Sequence, residues 1–592
     1  MKVFLRSSML IGICLIASCT QPQGFDREIT QKELYAHVDL LSSDSLQGRL
    51  PGTPFDRVAA KYIKDQMELS GIKLIGRNGY QFFDFVAKQE LGADNTVRIS
   101  GQSLQLGTDY SIFPFSSSDS VSASVVFVGY GFSINTKALM WDDYLSVNVN
   151  GKWALILRGD PDSKNSESPF ITYSSDRNKA MLANDNGAIG VIMVSGSSYD
   201  PSDELVNMSE KAFDVGIPVI QVSRNVVDRI LHTSGLNVSS LEKKFLNIRR
   251  PSSFAVKANV AARTDIILQK KQTQNVVGLI EGTDPLLKNQ YIVIGAHYDH
   301  LGNGGKGSSS RIPDTLGVHN GADDNASGVS AILEVAQKFA GNLNKRSIVV
   351  VAFGAEEMGL LGSRFFIENP IIPIDSIVAM INVDMVGRMS ADKALQVGGV
   401  KTSLESEGLI DKVNEVFKFN MAKSPEGYGP SDHASFYGKD IPVFFISTGA
   451  HVDYHTPNDK IDRINFEGLF ETSQFIEAIV TELVSVSQKL TFQEAGPKSS
   501  PTRHGRDLKV KLGIMPDVSG ATNDGLKVLA VTPNNPAFIA GIKKDDIITA
   551  LNGQKVNNIH DYMFRLKDLK PGNTISVELK RNGEKLVVLV QL

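Results

Sequence analysis

The chain has 592 residues, too many for a single hydrophobic core, so we expect about three or four domains. Its content of 42% hydrophobic and 21% charged residues is typical of globular proteins, and a formal net charge of −4 gives no basic excess for binding nucleic acid. Both cysteines, Cys14 and Cys19, lie near the N-terminus, so the rest of the chain offers no disulfide and no thiolate ligand for a metal.

The N-terminus has the pattern of a targeting segment. Lys2 and Arg6 give it a positive start, and the apolar run Met9 to Ala17 is shorter than the roughly twenty residues that a spanning helix needs. Small residues then precede Cys19, in a pattern that resembles the cleavage and lipidation site of bacterial lipoproteins. We therefore expect a lipid on Cys19 to anchor the protein to the bacterial cell envelope, facing the periplasm or the surface. A plain signal peptide with an incidental cysteine is the alternative.

Helical patterns come next in the chain. Gln31 to Leu41 predicts a helix, and apolar residues recur at helical spacing between Asp56 and Met67. The Phe-rich segment Tyr80 to Val86 alternates as a strand does. Residues 115–262 then mix short helices and strands, including a predicted strand from Val121 to Phe132, without a cluster of His, Asp and Glu. We interpret them as a separate small module that has no chemistry of its own.

After residue 262 the pattern alternates between strand and helix. Short runs rich in Val and Ile are typical of strands buried on both faces of a largely parallel sheet. These runs are 291–296, 347–353, 376–383 and 442–447. The segment Asp324 to Ala340 predicts a helix, with Asp324 or Asn325 as its N-terminal cap. The sequence therefore predicts an α/β fold with a mostly parallel or mixed sheet flanked by helices.

A polar segment with two prolines, Gln493 to Gly505, predicts a linker before a last unit of short strands and two helices. The predicted divisions are 1–19 (lipoprotein signal), 20–29 (tether), 30–114 with 263–488 (the discontinuous α/β domain), 115–262 (insert), 489–508 (linker) and 509–592 (C-terminal unit).

Residues that can bind a metal follow several of the apolar runs. They are His297 with Asp299, Glu356 with Glu357, Asp384 and His455, and a further pair, Asp323 with Asp324, follows a loop at the start of the predicted helix. Each of them alone is typical of an ordinary loop or cap residue. Because ligands of open α/β sheets collect outside the carboxyl ends of the strands, we expect these side chains to converge. Their recurrence predicts a divalent transition-metal site built from imidazole and carboxylate groups.

The motifs and their order resemble those of a known family. In chain order they are His297-x-Asp299, Asp324–Asn–Ala–Ser–Gly328, Ala355–Glu–Glu357, Asn382-x-Asp–Met385, Ser431–Asp–His433 and Tyr454–His–Thr–Pro457. This series resembles the co-catalytic di-zinc aminopeptidases of the clan MH zinc exopeptidases, over residues 30–115 and 265–485. The resemblance implies the phosphorylase/hydrolase-like α/β sheet of those exopeptidases.

The resemblance also implies a set of metal ligands. Asp324 would bridge two Zn²⁺ ions, although other divalent transition metals suit the same ligands. His297 and Asp384 would bind one ion, and Glu357 and His455 would bind the other.

Three further residues complete the implied mechanism. Glu356 would act as the general base, taking a proton from the water that the two ions share and activate. Tyr454 would steady the oxyanion that forms on the substrate. Asp299 would orient His297, as metal-bound histidines usually require. The resemblance implies no more than supporting roles for His300, Asp323 and the group Ser431, Asp432 and His433.

Two accessory modules also resemble known domains. The insert resembles a protease-associated (PA) domain, a mixed α+β module, through Val126–Phe–Val–Gly–Tyr–Gly131, Arg158–Gly–Asp–Pro161 and Ile217–Pro–Val219. The C-terminal unit resembles a small, β-rich PDZ domain, in which Leu512, Gly513, Ile514 and Met515 would form the loop that receives a peptide carboxylate. A peptide C-terminus is therefore an expected partner, with a domain used only for packing as the alternative.

Together these features predict an envelope-anchored zinc aminopeptidase that hydrolyses N-terminal residues of peptides. A carboxypeptidase or dipeptidase using the same site is one alternative, because the zinc motifs are shared. A non-catalytic, receptor-like protein is another, although every ligand and the base are present. A glutaminyl cyclase is disfavoured by the motif around Asp324 and by the accessory domains.

Overall fold

The computed structural model describes residues 27–136, 139–162, 165, 168–208, 212–496, 510–516, 524–532, 535–567 and 569–592. These residues form three larger sheets, each with its own hydrophobic core. The predicted signal segment, with Cys14 and Cys19, lies outside the described residues, as does most of the predicted linker. None of the helices in the described ranges has the length and apolar content needed to cross a membrane.

The largest sheet has nine strands and carries the predicted α/β domain. In spatial order they are β1 (Lys73–Leu74), β13 (Ile266–Ile280), β15 (Ser347–Phe353), β14 (Tyr291–His297), β16 (Ile377–Val383), β19 (Val443–Ser447), β17 (Ala394–Gly398) and β18 (Asn420–Lys423), with β2 (Tyr80–Leu91) paired to β13 outside this order. Strands β15, β14, β16 and β19 run parallel to one another. Every residue of β15 and β16 is buried, as expected for strands covered on both faces. The predicted α/β fold class is therefore confirmed.

Helices cover both faces of this sheet. On one face lie α1 (Gln31–Leu41), α2 (Pro54–Leu69), α6 (Gly328–Phe339), α8 (Ser406–Phe417) and α10 (Phe466–Ser485), and on the other lie α7 (Leu361–Glu368) and α9 (His433–Tyr437). A separate hydrophobic core lies under each group of helices. Because side chains alternate along a strand, Ile348 and Val350 of β15 enter the core beneath α6, and Val349 and Val351 enter the core beneath α7.

Helix α6 begins later than the sequence predicts. Asp324, the predicted start, has non-helical backbone angles (φ −104°, ψ 93°), and the regular helix begins at Gly328. The chain is diverted because the amide groups of Asp323 and Asp324 both donate to Asp459 Oδ2, at 3.0 Å each. Of the two predicted caps, Asn325 contributes, since its Oδ1 accepts a hydrogen bond from the amide of Gly328 at 2.9 Å.

The second sheet has eight strands and forms the insert. In spatial order they are β4 (Gln102–Ser103), β3 (Thr96–Ile99), β12 (Phe254–Arg263), β6 (Ser120–Phe127), β9 (Trp153–Leu157), β10 (Gly190–Val194), β11 (Val219–Val222) and β5 (Tyr110–Ile112), accompanied by α3 (Asp176–Asp185), α4 (Arg224–Leu231), α5 (Val238–Ile248) and the hairpin β7 (Ser133–Asn135) with β8 (Met140–Asp142). Strands β3, β4 and β5 precede residue 115, so this sheet takes in chain from both sides of the predicted boundary. Strand β6 ends before the predicted Phe132 because the chain turns at Gly129 and Gly131, which have φ angles of 50° and 70°.

The C-terminal unit is a six-stranded sheet with two helices. Its elements are β20 (Ile514–Pro516), β21 (Leu526–Val531), β22 (Ile547–Leu551), β23 (Gln554–Lys555), β24 (Thr574–Arg581), β25 (Glu584–Gln591), α11 (Pro536–Ile539) and α12 (Ile559–Lys567). Helix α12 contacts the insert through two ion pairs. Arg565 Nη2 lies 2.7 Å from Asp185 Oδ1, and Arg177 Nη2 lies 2.9 Å from Asp561 Oδ1.

Candidate metal centre

The fold brings the candidate ligands to one edge of the nine-stranded sheet. Strand β14 ends at His297, the segment after β15 carries Glu356 and Glu357, and Asp384 directly follows β16. These strands are parallel neighbours, so their carboxyl ends meet at the same edge. His455 joins them from the loop after β19, which is the next parallel strand.

Asp324 lies between two groups that each combine an imidazole and a carboxylate. Its Oδ1 is 3.2 Å from His297 Nε2, which is also 3.3 Å from Asp384 Oδ1. Its Oδ2 is 3.2 Å from His455 Nε2, which is also 3.1 Å from Glu357 Oε2. One carboxylate therefore faces two separate groups with its two oxygens.

The donor set fits zinc. Zinc in proteins is bound tetrahedrally by His and carboxylate groups at about 2.0–2.2 Å, which places two ligand atoms of one ion about 3.3 Å apart. The separations of 3.1–3.3 Å between the nitrogen and oxygen atoms match this spacing. His297 and Asp324 are buried, 2% and 3% exposed, and burial of so many charged groups is costly unless a cation balances them.

The charges around His297 oppose the effect of its burial. Burial alone would lower the pKa of His297, but Glu356, Asp384 and Asp324 raise it well above the usual histidine value. For Asp324 the burial effect, which raises a carboxyl pKa, is outweighed by His297, His455 and His300, so its pKa lies well below the usual range. Asp324 is therefore ionised, as a carboxylate has to be in order to bind a metal.

Glu356 is close to the ligands without being one of the two groups. Its Oε2 is 3.9 Å from His297 Nε2, and burial raises the pKa of its carboxyl well above the usual value. The amide groups of Glu356 and Glu357 donate to Asp299 Oδ1 and Oδ2, at 2.9 and 3.3 Å. Burial thus favours the protonated form of the Glu356 carboxyl, which suits a group that takes up a proton.

Asp299 contacts His297 in a different way from the one expected. The carbonyl of Asp299 is 3.2 Å from His297 Nδ1, so it can accept the hydrogen bond that fixes the ring. The carboxylate is farther away, at 3.8 Å, and is hydrogen-bonded to the segment of Glu356 instead. The residue thus connects the end of β14 to the segment after β15.

Tyr454 lies against His455, with ring centroids 3.8 Å apart and an interplanar angle of 23°. Burial, followed by the nearby Asp324 and Glu357, raises the pKa of the Tyr454 hydroxyl, which stays protonated. His455 Nδ1 donates to the carbonyl of Ser309 at 3.0 Å, which leaves Nε2 facing Asp324 and Glu357.

Two of the supporting residues hold carboxylates of the centre. His300 Nδ1 donates to Glu357 Oε1 at 2.8 Å, and the hydroxyl of Ser431 donates to Asp384 Oδ2 at 2.7 Å. Asp323 accepts hydrogen bonds from Gly387 N and Ser327 Oγ, so it braces the loop beside Asp324.

Sequence reasoning missed two residues of this region. Arg49 is buried and donates to the carbonyls of Tyr298 (2.7 Å), Asn320 (2.6 Å) and Gly321 (3.0 Å), and also to that of Leu41. Asp459 holds the amides of Asp323 and Asp324, as described above. Arg49 lies in a turn-rich segment far away in sequence, and Asp459 follows the Tyr454–Pro457 motif, which was the available signal for it.

The predicted carboxylate-binding loop is described in part. Leu512 is buried, and its carbonyl accepts a hydrogen bond from Ala537 N at 2.8 Å. Gly513 has a φ of +79°, and a Cβ there would lie 2.2 Å from Asn535 Cβ, so the loop requires glycine. Ile514 begins β20, and the side chain of Met515 lies outside the described part.

Comparison with known proteins places this centre in a family. Residues 275–480 match the model of peptidase family M28, residues 121–230 that of the PA domain and residues 510–592 that of the PDZ domain. Aminopeptidase YwaD of Bacillus subtilis (strain 168) is 25% identical over 487 residues, covering 80% of this chain and 90% of that protein. An aminopeptidase of Pseudomonas aeruginosa (strain UCBPP-PA14) is 25% identical over 489 residues, covering 76% and 80%.

Among solved structures, BSAP, a zinc aminopeptidase from Bacillus subtilis, is similar with a TM-score of 0.44 and 22% identity, covering 80% of this chain and 100% of that one. All the candidate ligands, from His297 to His455, lie within residues 275–480. That region is a peptidase family M28 domain, in a chain that also carries a PA domain and a PDZ domain.

Proposed function

We propose that the chain is a zinc-dependent aminopeptidase that removes N-terminal residues from peptides. The carrying observation is that the two oxygens of Asp324 face two separate groups of imidazole and carboxylate. The family match and the relatives named aminopeptidase support the direction of cleavage. Two Zn²⁺ ions bound by His297, Asp324, Asp384, Glu357 and His455 would supply an activated water and polarise the scissile carbonyl.

The protein's own groups perform the proton transfers. Glu356 takes the proton from the attacking water and passes it to the leaving amine, a role that suits its buried carboxyl with a raised pKa. Tyr454, protonated because its pKa is raised, donates a hydrogen bond to the oxyanion. Asp299 holds Glu356 through its amide, so the base keeps its position during both transfers.

The substitution Glu356→Gln tests this role. Glutamine keeps the shape but cannot accept the proton, so we expect kcat/KM to fall by about 10²–10⁴. Metal content, measured by inductively coupled plasma mass spectrometry, should equal that of the wild type. Glu415→Gln, on an exposed position of α8, is the matched control and should leave both unchanged. Wild-type hydrolysis in the Glu356 variant would refute the proposed role.

The choice of substrate separates the proposal from other exopeptidases. We expect hydrolysis of amino-acyl chromogenic substrates and of peptides with a free amino terminus, and none of N-blocked peptides. Activity confined to N-blocked peptides would instead identify a carboxypeptidase on the same site.

We also propose that a lipid on Cys19 anchors the protein in the cell envelope. The support is the positive start, the short apolar run and the small residues before Cys19. Cys19→Ser should abolish palmitate labelling and release the protein from the membrane fraction, whereas Cys14→Ser should change neither. Membrane retention of the Cys19 variant at the wild-type level would contradict lipidation at this residue.

For the PDZ domain we propose binding of a peptide C-terminus at Leu512 to Met515. The support is the loop that requires Gly513 and leads into β20. In a peptide-array measurement, peptides with a free carboxylate should bind and their amidated forms should not. Equal binding of the two forms would contradict carboxylate recognition.

A further inference from the structure

The strands that lead into and out of the insert form a ribbon beside the metal centre. Val276 of β13 lies opposite Ala352 of β15, and residues 266–275 of β13 continue past this pair, with β2 as their partner. Because β13 runs antiparallel to β15, this part of the ribbon projects on the side of the sheet where β15 ends. That is the edge that carries Glu356.

Side-chain hydrogen bonds fix the ribbon to the segment of the proposed base. Asn275 Nδ2 donates to the carbonyl of Gly362 at 2.9 Å, and Asn275 Oδ1 accepts from the amide of Gly354 at 3.1 Å. The amide of Leu361 donates to the carbonyl of Ala355, the residue before Glu356, at 3.1 Å. Helix α7 therefore starts at this segment and runs away from it, for a length of about 12 Å at 1.5 Å per residue.

A cleft of about 480 Å³ lies between the ribbon, α7 and the insert. Its lining spans α7 from Leu361 to Glu368 and contains none of the candidate metal ligands. Aromatic and apolar side chains dominate the lining, among them Phe83, Phe85, Phe213, Leu268 and Phe365. The rings of Phe83 and Phe365 stack with centroids 5.2 Å apart, so this wall is preformed.

The insert supplies the opposite wall, and this wall is tied to the ribbon. Gln89 of β2 accepts a hydrogen bond from the amide of Ala212 at 3.1 Å and donates to the carbonyl of Pro114 at 2.6 Å. Phe213, the residue after Ala212, lines the cleft and also packs against the hydrophobic core of the PDZ domain. All three modules therefore contribute to the position of this wall.

The chemistry of the cleft suits apolar side chains of an extended peptide. Lys270 and Arg364 lie among the lining residues together with Asp84, Asp214 and Glu368, so the cleft carries charges of both signs with a single acidic group in excess. An extended chain advances about 3.3 Å per residue, so a cleft along α7 has room for roughly three or four residues. A preformed aromatic wall binds such side chains by removing their apolar surface from water.

We infer that this cleft binds apolar side chains of the peptide substrate on the C-terminal side of the cleaved bond. The inference rests on the proposed function, since a peptide whose amino end lies at the metal centre extends its remaining residues away from Glu356. Leu361, which lines the cleft, is hydrogen-bonded to Ala355, and the ribbon that forms one wall projects from the same edge of the sheet. It would favour longer substrates with apolar residues at the third to fifth positions.

Two neighbouring residues of β13 provide a matched pair of variants. Leu268 lines the cleft and is 48% exposed, whereas Ile267 is 45% exposed and is not part of the lining. Successive side chains of a strand point to opposite faces. A Glu at position 267 or 268 therefore adds the same charge at a similarly exposed site, but only the one at position 268 lines the cleft.

The experiment compares two pentapeptides that are identical except for Phe or Gln, which is uncharged, at position four. The wild type should prefer the Phe peptide by about tenfold in kcat/KM, as expected for one further buried apolar side chain. Leu268→Glu should abolish this preference and Ile267→Glu should retain it. If Leu268→Glu melts at a lower temperature than Ile267→Glu, Leu268→Ala takes its place. This substitution should reduce the preference for the Phe peptide at least twofold.

Binding of the same peptides, fluorescently labelled, to the Glu356→Gln protein separates this inference from the proposed function. If the wild type cleaves neither peptide but binding still favours Phe and depends on Leu268, the cleft is supported and the aminopeptidase function fails. Equal affinity for the Phe and Gln peptides, or equal effects of the Leu268 and Ile267 substitutions, would overturn the inference.

Discussion

At the scale of single residues, Arg49 links the two halves of the candidate metal centre. Its side chain is 1% exposed and donates to carbonyls at the end of β14 and in the segment before Asp323. Burial lowers the pKa of Arg49 to about 10, against the raising effect of Asp324 and Asp299, so the guanidinium stays charged at neutral pH. It therefore supplies a permanent positive charge and fixes the spacing of His297 and Asp324.

We expect Arg49→Lys to weaken zinc binding, because lysine cannot reach three carbonyls at once. Residues that support metal ligands typically change metal affinity about 10- to 100-fold, and we expect a loss of about tenfold here. Competition with a chelating dye measures this affinity. Arg346→Lys is the control, since Arg346 is equally buried and donates to Leu483 and Val486 carbonyls away from the centre. It should lower the melting temperature without changing zinc affinity, and equal affinity losses in both variants would contradict the role of Arg49.

Some residues of this centre could be predicted from the sequence and others could not. His297, Asp384 and His455 could be found because they follow apolar runs in recurring motifs. Arg49 could not be found, since its role comes from hydrogen bonds to backbone segments 249 and 271 residues away. Asp299 was found, but the contact of its carboxylate depends on how β14 and β15 lie side by side, which no single segment encodes.

At the scale of elements, Gly328 at the start of α6 is packed so tightly that no side chain fits there. A Cβ at Gly328 would lie 2.2 Å from Asn325 Oδ1 and 2.5 Å from the carbonyl of Val383. Neither group can move freely, because Asn325 also donates to that carbonyl. The segment that carries Asp324 is therefore held against the end of β16.

Gly328→Ala should destabilise the protein by about 1–3 kcal/mol, as other overpacked sites do. Gly408→Ala is the control, because Gly408 lies in α8 with nothing within 4 Å of an added Cβ, and alanine there should stabilise by up to about 1 kcal/mol. Denaturant unfolding curves measure both effects. A neutral Gly328 variant would contradict the close fit.

Elements with strong local signals were predicted well. The bounds of α1 agree with the prediction because Thr30 caps the helix, accepting a hydrogen bond from the amide of Glu33. Strand β15 agrees because an apolar run of its length has to be buried on both faces. The start of α6 was wrong because Asp459, distant in sequence, holds the backbone of Asp323 and Asp324 in another conformation.

At the scale of the whole molecule, the PDZ domain is fixed to the insert by the face of α12 that points away from its own core. Arg565 and Asp561 of this helix pair with Asp185 and Arg177 of α3, and Phe564 packs against the core of the insert. Arg565 and Asp561 are buried in this contact. Pairing of modules so far apart in the chain is not visible in the sequence of either module.

Exchanging the charges of Arg565 and Asp185 tests the contact between the PDZ domain and the insert. Arg565→Asp or Asp185→Arg alone should loosen it, because each leaves a like charge opposite, and the double variant should restore it. We expect a coupling energy of about 1–3 kcal/mol in this cycle, measured by hydrogen exchange in α12. Lys580→Glu, in an exposed pair with Asp524 inside the PDZ domain, is the control and should leave that exchange unchanged. Additive effects of the two reversals would contradict a direct pair.

The ribbon of β2 and β13 has a consequence for the history of the protein. Leu91, the last residue of β2, pairs with Ile266, the first residue of β13, and the amide of Gly92 donates to the carbonyl of Asp265 at 2.9 Å. The chain leaves the peptidase domain and returns to it at a single point, as it would at the tip of a β-hairpin. A two-residue turn such as Asn–Gly would close that hairpin if residues 92–265 were deleted. The insert is thus a cassette that one recombination event could add or remove while the strands on both sides keep their register.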